Sequence, residues 1–513
     1  MEFSCVAPIK ENKGDDGIEH FDVLIVGAGL SGIGAAYHLQ KRCPKKSYAI
    51  LEGRGDIGGT WDLFRYPGIR SDSDMYTLGY RFRPWRQAKT IADGPAILSY
   101  VKEAAEDYGV TRNIRFNHWV EALSWSSEDA CWTVTAVCDG VKKTFTCDFL
   151  WMCSGYYRYA EGYTPDFPGR DEFSGDIVHP QHWPENLDYD RKRIVVIGSG
   201  ATAVTLIPSM VEKAEHITML QRSPTFMFSM PAESPFAKFL GRFLPSGIVY
   251  HIMRWQRIAL QQFVFKTARA FPKNAKQSLI REARKRLPEG FNVEKHFTPS
   301  YNPWDQRICL VPDDDLYAAI KTGKASVVTD HIEKFTSEGI QLKSGETLKA
   351  DIIITATGLT LEVLGGASVT VDGKQINFAD TLTYKGMMYS DVPNLASVFG
   401  YTNASWTLRA DLVSDYVCRI INYMDKREYA QATPRNHDPD MTREPYLDFS
   451  SGYVKRAENI LPKQGEYGPW RHPQDYVKDL MSLRHGALDD GVMEFRQKPA
   501  EQEKVPSQSL AAE

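Results

Sequence analysis

Two stretches of this chain share one pattern, in which a short apolar run ends in glycines and a helix of small residues follows. Residues 21–32, FDVLIVGAGLSG, predict a buried strand that leads into the helix SGIGAAYHLQKR. A second strand is predicted at 46–52, KSYAILE, which completes a β-α-β unit. The unit recurs at 193–211 and 216–223, so the sequence predicts an α/β fold with two such domains.

The pattern changes between about 235 and 296. Long amphipathic stretches there, such as IVYHIMRWQRIALQQFVFKTARAF, lack strand signals and predict helices. We interpret them as a helical insertion in the second domain. A third apolar strand, DIIITATGL, is predicted at 351–359. The predicted organisation is a flexible tail at 1–19, a discontinuous first domain at 20–155 and 345–496, a second domain at 156–344 that carries the insertion, and a flexible tail at 497–513.

Composition narrows the class of protein. A chain of 513 residues is too long for one core, and its net charge of −4 gives no reason to expect nucleic-acid binding. The eight cysteines form no CxxC pair, so no metal site and no redox dithiol are predicted. The N-terminal segment lacks an apolar h-region, and no run of 18 apolar residues occurs. We therefore expect a cytoplasmic enzyme.

The first glycine-rich loop has the spacing G-x-G-x-x-G between strand and helix. The first glycine permits a tight turn, the second lets a pyrophosphate approach the backbone, and the third lets helix and strand pack closely. An acid ends the second strand, where a carboxylate accepts hydrogen bonds from ribose. An ordinary turn is the alternative, and the strand, helix and acid disfavour it. The expected contacts are Gly27, Gly29, Ser31, Gly32 and Glu52.

The second loop, G-S-G-A-T-A, differs at the end of its second strand, which carries Arg222 instead of an acid. A carboxylate there would repel a 2′-phosphate, whereas a guanidinium can bind it, so the sequence favours NADPH over NADH. The alternative is an ordinary surface arginine. Two loops imply two cofactors. The expected contacts of the second are Gly198, Ser199, Gly200, Ala201, Thr202, Ala203, Val204, Arg222 and Ser223.

Between the two loops, residues 173–184 read FSGDIVHPQHWP and fit the pattern F-x-G-x-x-x-H-x-x-x-W-P. A second frame, G-x-W-x-x-x-x-Y-P-G-x-x-x-D, lies in GGTWDLFRYPGIRSDSD at 58–74. Both motifs, with ATG at 356–358, resemble those of type I Baeyer–Villiger monooxygenases. The resemblance extends from about residue 20 to 495.

That resemblance implies FAD in the first domain and NADPH in the second. It implies oxygen insertion beside ketone carbonyls through a C4a-peroxyflavin, which gives esters or lactones, and oxidation of sulfur in thioethers and thioamides. The implied substrates are small hydrophobic ketones or sulfur compounds, together with O2. Further flavin contacts are expected from Gly59, Thr60, Trp61, Asp62, Leu63, Arg70, Ser71, Asp72 and Val120.

The resemblance also implies two catalytic residues. Arg307, in YNPWDQR, would hold negative charge on the reacting oxygens, and Asp72 would orient it as an ion-pair partner. A structural salt bridge is the alternative role for Arg307. Many family members carry lysine where this chain has Gln306, so part of a 2′-phosphate contact is in doubt. His179 and Trp183 are expected to lie on the connection between the two domains and to couple the domain positions, without taking part in the chemistry.

The predicted helical insertion is basic, with 13 lysines and arginines against 3 acids between 235 and 296. Solvated helices with one buried face are the simpler interpretation. A surface that makes peripheral contact with anionic membranes is the alternative. The sequence does not indicate an oligomeric state.

Three other functions compete with the Baeyer–Villiger hypothesis. An N- or S-oxygenating flavin monooxygenase is disfavoured by the Trp183-Pro184 pair and by Arg307. A flavin disulfide reductase is disfavoured because no CxxxxC follows the first nucleotide helix. A non-catalytic nucleotide sensor is disfavoured because every cofactor element is retained. Tyr401, Asn403, Ser405 and Trp406 would contribute amides near the flavin or pack a substrate pocket.

Overall fold

A computed structural model of the protein describes residues 12–13 and 17–498. The predicted tails at 1–19 and 497–513 lie almost entirely outside the described residues. Within the first of them, residues 12–13 form a short strand that pairs antiparallel with residues 19–20.

The first part of the chain builds most of one domain. Its strands and helices are β1 (Asn12–Lys13), β2 (Glu19–Val26), α1 (Leu30–Arg42), β3 (Tyr48–Leu51), α2 (Thr60–Leu63), α3 (Met75–Leu78), α4 (Gly94–Asp107), β4 (Ile114–Arg115), β5 (Trp119–Ser126), β6 (Cys131–Cys138) and β7 (Val141–Met152).

The middle part builds a second sheet and the helices beside it. Its elements are β8 (Asp176–Val178), β9 (Arg193–Ile197), α5 (Ala201–Met210), β10 (His216–Gln221), β11 (Met227–Met230), α6 (Pro235–Leu240), α7 (Ser246–Ala270), α8 (Pro272–Arg286), α9 (Val293–His296), β12 (Cys309–Pro312), α10 (Asp315–Lys321), β13 (Ala325–Thr329), β14 (Ile332–Thr336), β15 (Gly339–Leu342), β16 (Thr347–Lys349) and β17 (Ile352–Thr355).

The last part returns to the first domain. Its elements are β18 (Ser368–Val371), β19 (Lys374–Gln375), β20 (Thr383–Tyr384), β21 (Met388–Tyr389), β22 (Leu395–Ser397), α11 (Trp406–Arg427), β23 (Tyr429–Pro434), β24 (Arg443–Pro445), α12 (Gly452–Arg456), β25 (Lys463–Gly465), α13 (Tyr476–His485) and β26 (Met493–Gln497).

The first sheet has the strand order β19-β18-β5-β6-β7-β2-β3-β4, with β22 added in parallel beside β7. Its central strands β7, β2 and β3 run parallel, and their side chains at 149–152, 23–26 and 48–51 are buried. Strands covered on both faces read as continuous apolar runs, which is why β2 and β3 could be predicted. Helices α1 and α11 pack together against this sheet.

The second sheet is parallel, in the order β13-β10-β9-β17-β8. Strand β17 pairs in register with β9 and β8. It therefore belongs to the second sheet, although the predicted boundary places residues after 345 in the first domain. Strand β17 is paired with another strand on each of its edges, and the chain returns to the first sheet only at β18.

The predicted helical insertion is present as α6 to α9, between β11 and β12. Helix α7 packs on α3 and contributes Val249, Tyr250 and Met253 to the core of the first domain. Buried Arg254 donates hydrogen bonds to the carbonyls of Tyr76 and Gly79, both at 2.8 Å. The insertion therefore connects the two domains. None of the described helices is both long and apolar enough to cross a bilayer.

Candidate cofactor and active site

The first glycine loop leaves β2 and enters α1. Gly27 has φ +104°, and a Cβ there would lie 2.5 Å from the Cys153 carbonyl oxygen. A Cβ on Gly32 would lie 1.8 Å from the Gly27 oxygen. These two glycines are therefore required by the fold itself. Gly29 differs, because its φ of −76° suits any residue and a Cβ would make only ordinary contact, at 3.5 Å from Gly59. The space beside Gly29 suits a ligand that approaches the backbone.

Glu52 follows β3, beside this loop. Its Oε2 accepts a hydrogen bond from the Ala28 amide at 2.6 Å, and its Oε1 accepts one from the Arg54 amide at 2.9 Å. Burial raises the pKa of this carboxyl, against the lowering effect of the two amides. Each oxygen retains a second lone-pair direction, which is what a ribose hydroxyl needs. The position and chemistry of Glu52 fit the adenosine part of a dinucleotide.

A cavity of about 380 Å³ extends from this loop to the second domain. Fourteen of the predicted site residues line it: Gly27, Gly29, Ser31, Glu52, Gly59, Thr60, Trp61, Arg70, Ser71, Asp72, Val120, Ala201, Thr202 and Arg307. The others lie outside the lining: Gly32, Asp62, Leu63, Gly198, Ser199, Gly200, Ala203, Val204, Arg222 and Ser223. Of these, Asp62 is buried and binds the guanidinium groups of Arg54 and Arg65 at 2.5 and 2.7 Å.

Arg307 and Asp72 form an ion pair on the cavity wall. Arg307 Nη1 donates to Asp72 Oδ2 at 2.9 Å. Burial among protein groups works against the guanidinium charge, but Asp72 and the phenols of Tyr453 and Tyr156 raise its pKa above the ordinary value. The Arg307 side chain is still 43% exposed, because it faces the cavity. A permanent cation is therefore held where a ligand can reach it.

The loop that carries Arg307 is fixed by its neighbours. The Asp305 carboxylate accepts a hydrogen bond from the Asn302 amide at 3.0 Å and pairs with Arg269 of α7 at 2.9 Å. The Asp305 carbonyl accepts one from the Ser450 amide at 2.9 Å. Trp304 has φ +68°, a left-handed conformation that side chains rarely adopt. These contacts limit where the Arg307 side chain can lie.

The second glycine loop leaves β9 and enters α5. A Cβ on Gly198, at φ +134°, would lie 2.4 Å from the carbonyl oxygen of Ala356, within the ATG motif. A Cβ on Gly200 would meet nothing within 4 Å. At the end of β10, Arg222 is exposed and takes part in no ion pair with any described residue. A free guanidinium beside an open helix N-terminus fits a phosphate-bearing ligand.

The two predicted motifs contact the boundary between the domains. A Cβ on Gly68 would lie 1.7 Å from Ser209 Oγ of α5, so the YPG segment packs directly on the second domain. His179 accepts a hydrogen bond from the Gln181 amide at 3.2 Å, and burial lowers its pKa. The His179 ring fills the space where Gly162 would carry a Cβ. Its environment fits a packed, neutral histidine.

Aromatic residues form a part of the cavity. Trp406 is among the residues expected from the sequence to pack a substrate pocket, whereas Tyr156 and Tyr157 were not singled out. Tyr156 stacks on Trp406 with ring centroids 5.0 Å apart, and Trp406 Nε1 donates to Ser31 Oγ at 2.8 Å. The Tyr157 hydroxyl lies 2.7 Å from Thr60 Oγ1. The available signal was the run SGYYRYA directly after β7, because the carboxyl ends of parallel strands are where ligands bind.

The shape and chemistry of this site fit two dinucleotides. At the first loop, Gly29 and Gly59 form a cradle that side chains would fill, and Glu52 supplies acceptors. At the second loop, outside the cavity lining, exposed Arg222 supplies a cation. Away from the cavity, His20, Cys131 and Asp148 place potential metal-ligand atoms within 4.8 Å of one another. The simplest interpretation of that group is the His20–Asp148 ion pair at 3.4 Å, which raises the pKa of His20 to about 10.

Comparison with known proteins agrees with this geometry. A family described as flavin-binding monooxygenase-like matches residues 91–388, and one described as an NAD(P)-binding Rossmann-like domain matches residues 25–89. The FAD-containing monooxygenase EthA of Mycolicibacterium smegmatis is 55% identical over 93% of this chain and 97% of its own length. EthA of Mycobacterium tuberculosis is 54% identical over 94% of this chain and 99% of its own length.

Solved structures show the same fold. A steroid monooxygenase bound to NADP superposes with a TM-score of 0.73 at 21% identity, and covers 93% of this chain and 100% of its own. OTEMO in complex with FAD and NADP gives 0.72 at 22%, over 93% and 99%. The predicted fold class, enzyme class and cofactor pair are confirmed. The chain belongs to the flavin-binding monooxygenase-like family and is a flavoprotein monooxygenase that uses FAD and NADPH.

Proposed function

We propose that this enzyme is a Baeyer–Villiger monooxygenase that converts ketones to esters or lactones and also oxidises sulfur in thioethers and thioamides. The observation that carries the proposal is the ion pair of Arg307 and Asp72 on the wall of the cavity. Carbonyl oxygenation needs a site that holds an anionic oxidant and then an oxyanion. A fixed guanidinium can stabilise both, since it keeps its proton.

Bound FAD, reduced by NADPH, would activate O2, and one atom of that O2 would pass to the substrate while the other leaves as water. The chain supplies position and charge. Arg307 faces the cavity, and Asp72 directs its guanidinium. The aromatic side chains of Tyr156 and Trp406 limit water on one side of the cavity and offer an apolar wall to a small hydrophobic substrate.

In this proposal FAD binds at the first loop and NADPH at the second. Glu52 supports the first assignment, because a buried carboxylate beside the loop suits ribose hydroxyls and would repel a 2′-phosphate. Arg222 supports the second, because it is exposed and without an ionic partner among the described residues. OTEMO was solved in complex with FAD and NADP, and the similar EthA proteins are FAD-containing monooxygenases.

N- or S-oxygenation alone is the nearest alternative, since sulfur oxidation requires no oxyanion site. The domain limits of 20–155, 156–344 and 345–496 remain predictions, apart from β17. Cytoplasmic location and peripheral membrane contact are also proposals.

The test is an oxygenation assay on the purified holoenzyme with phenylacetone and NADPH under ¹⁸O2. We expect one labelled oxygen in benzyl acetate, detected by mass spectrometry, and NADPH oxidation that depends on ketone. Methyl phenyl sulfide in a parallel assay should give the labelled sulfoxide. Sulfoxide without any ester from a panel of ketones would support the N- or S-oxygenating alternative.

A further inference from the structure

Large exposed apolar side chains are concentrated in the insertion. Among the described residues, ten of the seventeen large hydrophobic side chains that are exposed lie between 236 and 271. Single exposed apolar residues are ordinary on protein surfaces, but contiguous groups mark interaction sites. Helices α6 and α7 and the turn between them therefore need a separate explanation.

Helix α6 and the turn after it are apolar on two sides. Phe239 and Phe243 are 54% and 72% exposed, and their rings meet edge to face with centroids 5.5 Å apart. On the other side, three residues pack against the core of the first domain: Ala237, Leu240 and Leu244. The core is thus supplied by the inner residues, and the outer phenylalanines contribute nothing to it.

Helix α7 repeats this arrangement. Ile248, Ile252, Trp255 and Phe263 are exposed by 39% to 68%, and their spacing of four, three and eight residues places them on one helical face. The inner side is occupied by Val249, Tyr250, Met253 and Ile258, which are buried in the core of the first domain. The inner face of this helix is already buried, so an apolar outer face indicates that the outer face binds a partner.

Charge around this face favours an anionic partner. Lys238, in α6, and Arg242, in the turn after it, lie among the exposed phenylalanines. Lys238 forms an ion pair with Glu233, whereas Arg242 forms no ion pair in the described part of the chain. Several other basic side chains are neutralised, such as Lys266 by Asp475 at 2.8 Å. The charge available to a partner is therefore smaller than the 13 to 3 ratio of the sequence indicates. Most of the binding free energy must come from the apolar side chains.

We propose that the outer face of α6, α7 and the turn between them, here called the α6–α7 surface and formed by Phe239, Phe243, Ile248, Ile252, Trp255 and Phe263, docks on an anionic lipid bilayer. Rings as exposed as Phe239 and Phe243 stand out from the end of a helix. A fluid interface adapts to such side chains, whereas a protein partner would need a matching cavity for each. Arg242, which has no ion-pair partner among the described residues, is placed to contact lipid phosphates. Docking would bring the enzyme to the phase in which hydrophobic substrates dissolve.

The test is co-sedimentation of the holoenzyme with vesicles of phosphatidylcholine alone or of phosphatidylcholine with about 30% phosphatidylglycerol, which gives the surface a negative potential. We expect binding to mixed vesicles that weakens several-fold in high salt. Phe239→Ser with Phe243→Ser should weaken it by about tenfold or more, and Arg242→Ala should weaken it on mixed vesicles only. The matched control is Val141→Ser with Ile460→Ser, which removes two exposed apolar residues elsewhere.

FAD content and turnover of a water-soluble ketone should be unchanged in every variant, which shows that the fold and the active site are intact. Wild-type protein that pellets no more with mixed vesicles than without them would overturn the proposal. So would a phenylalanine variant that binds as the wild type does. Sedimentation velocity tests whether the α6–α7 surface instead joins two copies of this chain. If the wild type self-associates, fails to bind lipid, and becomes monomeric in the phenylalanine variant, the surface joins copies of this chain and the lipid proposal is wrong.

Discussion

Arg307 Nη1 lies 2.9 Å from Asp72 Oδ2, although the two residues are 235 positions apart in the sequence. Asp72 follows the YPG segment, which packs on α5 of the second domain, and Arg307 precedes β12 of that domain. The pair therefore forms only when the two domains are in contact. The same residues therefore set the charge on the cavity wall and take part in the contact between the two domains.

Replacement of Arg307 by alanine should abolish ester formation, with a fall in kcat on the order of 100-fold or more, because a fixed charge is removed from the site of developing negative charge. Arg307→Lys should also fail, since a point charge does not reproduce the planar fork. Ester yield and FAD content are measured in the same preparation. A variant that keeps its flavin and makes ester at a near wild-type rate would show that Arg307 is structural.

Asp72→Ala should be less severe than Arg307→Ala, because it misplaces the guanidinium without deleting it. We expect a fall in kcat on the order of 10-fold, the scale of one charged hydrogen bond. The matched control is Asp56→Ala, which removes a partner of Lys102 from an exposed ion pair at 2.5 Å and should leave kcat unchanged. Equal losses in the two variants would mean that Asp72 acts only through stability.

Arg222→Ala should raise the KM for NADPH by roughly 10-fold and leave the KM for NADH unchanged, because one cation that faces the 2′-phosphate is lost. Initial rates with both coenzymes measure this. Arg191→Ala is the control, since Arg191 is 90% exposed and pairs only with its neighbour Asp190 among the described residues. Similar KM values for both coenzymes in the wild type would contradict the NADPH assignment of the second loop.

Local patterns explain how much of this fold was predictable. Apolar strands, glycine spacing and the acid or arginine after the second strand all lie within 35 residues, so the two β-α-β units could be read directly. The position of β17 could not, because a buried strand carries the same apolar run in either sheet. The two faces of α7 illustrate a similar limit. Its sequence predicts a helix, but nothing local says that Tyr250 and Arg254 are inserted into the first domain.

The site shows the same division. Glycine loops and Glu52 follow from local chemistry, whereas Arg307 and Asp72 could be paired only through the family resemblance. Tyr156 and Trp406 meet because β7 and the start of α11 converge at one end of the first sheet. Aromatic residues that follow a strand are common in hydrophobic cores. The cluster of tyrosines after β7 therefore did not show by itself whether these residues line a cavity or fill a core.

Acid should destabilise the protein partly through Asp479. Burial alone would raise the pKa of this carboxyl, but Arg409, His472 and the Tyr401 hydroxyl hold it at about 2. A folded-state pKa below the unfolded value of about 3.9 means that the ionised carboxyl stabilises the fold above that pH. This contribution is then lost as the pH falls from about 4 to about 2.

Asp479→Asn should therefore lower the free energy of unfolding at pH 7 by about 3–5 kcal/mol, since Arg409 is left buried without its counter-ion. It should also flatten the acid dependence. Urea unfolding of the holoprotein between pH 7 and pH 3 measures both. Asp351→Asn is the comparison, because its partner is the half-exposed Arg193 and its loss should be about 1 kcal/mol or less. Equal losses would mean that burial of the Asp479 pair is irrelevant.

Gly29→Ala and Gly200→Ala form a matched pair that separates the two cofactors. Both glycines begin a helix with φ near −76° and −80°, so alanine is free of backbone strain at either position. A methyl group on Gly29 would meet only ordinary contacts in the protein, and one on Gly200 would meet nothing within 4 Å. Both variants should therefore fold. In each, the added methyl would occupy the path by which a pyrophosphate approaches the helix N-terminus.

We expect Gly29→Ala to purify with little FAD, and Gly200→Ala to keep its FAD but to show a KM for NADPH raised by roughly 10-fold or more. Flavin absorbance per protein and circular dichroism distinguish loss of cofactor from loss of fold. Gly247→Ala is the control, because a Cβ there also meets nothing within 4 Å and the residue lies in α7, outside both loops. The assignment of one cofactor to each loop fails if Gly200→Ala loses FAD while Gly29→Ala retains it.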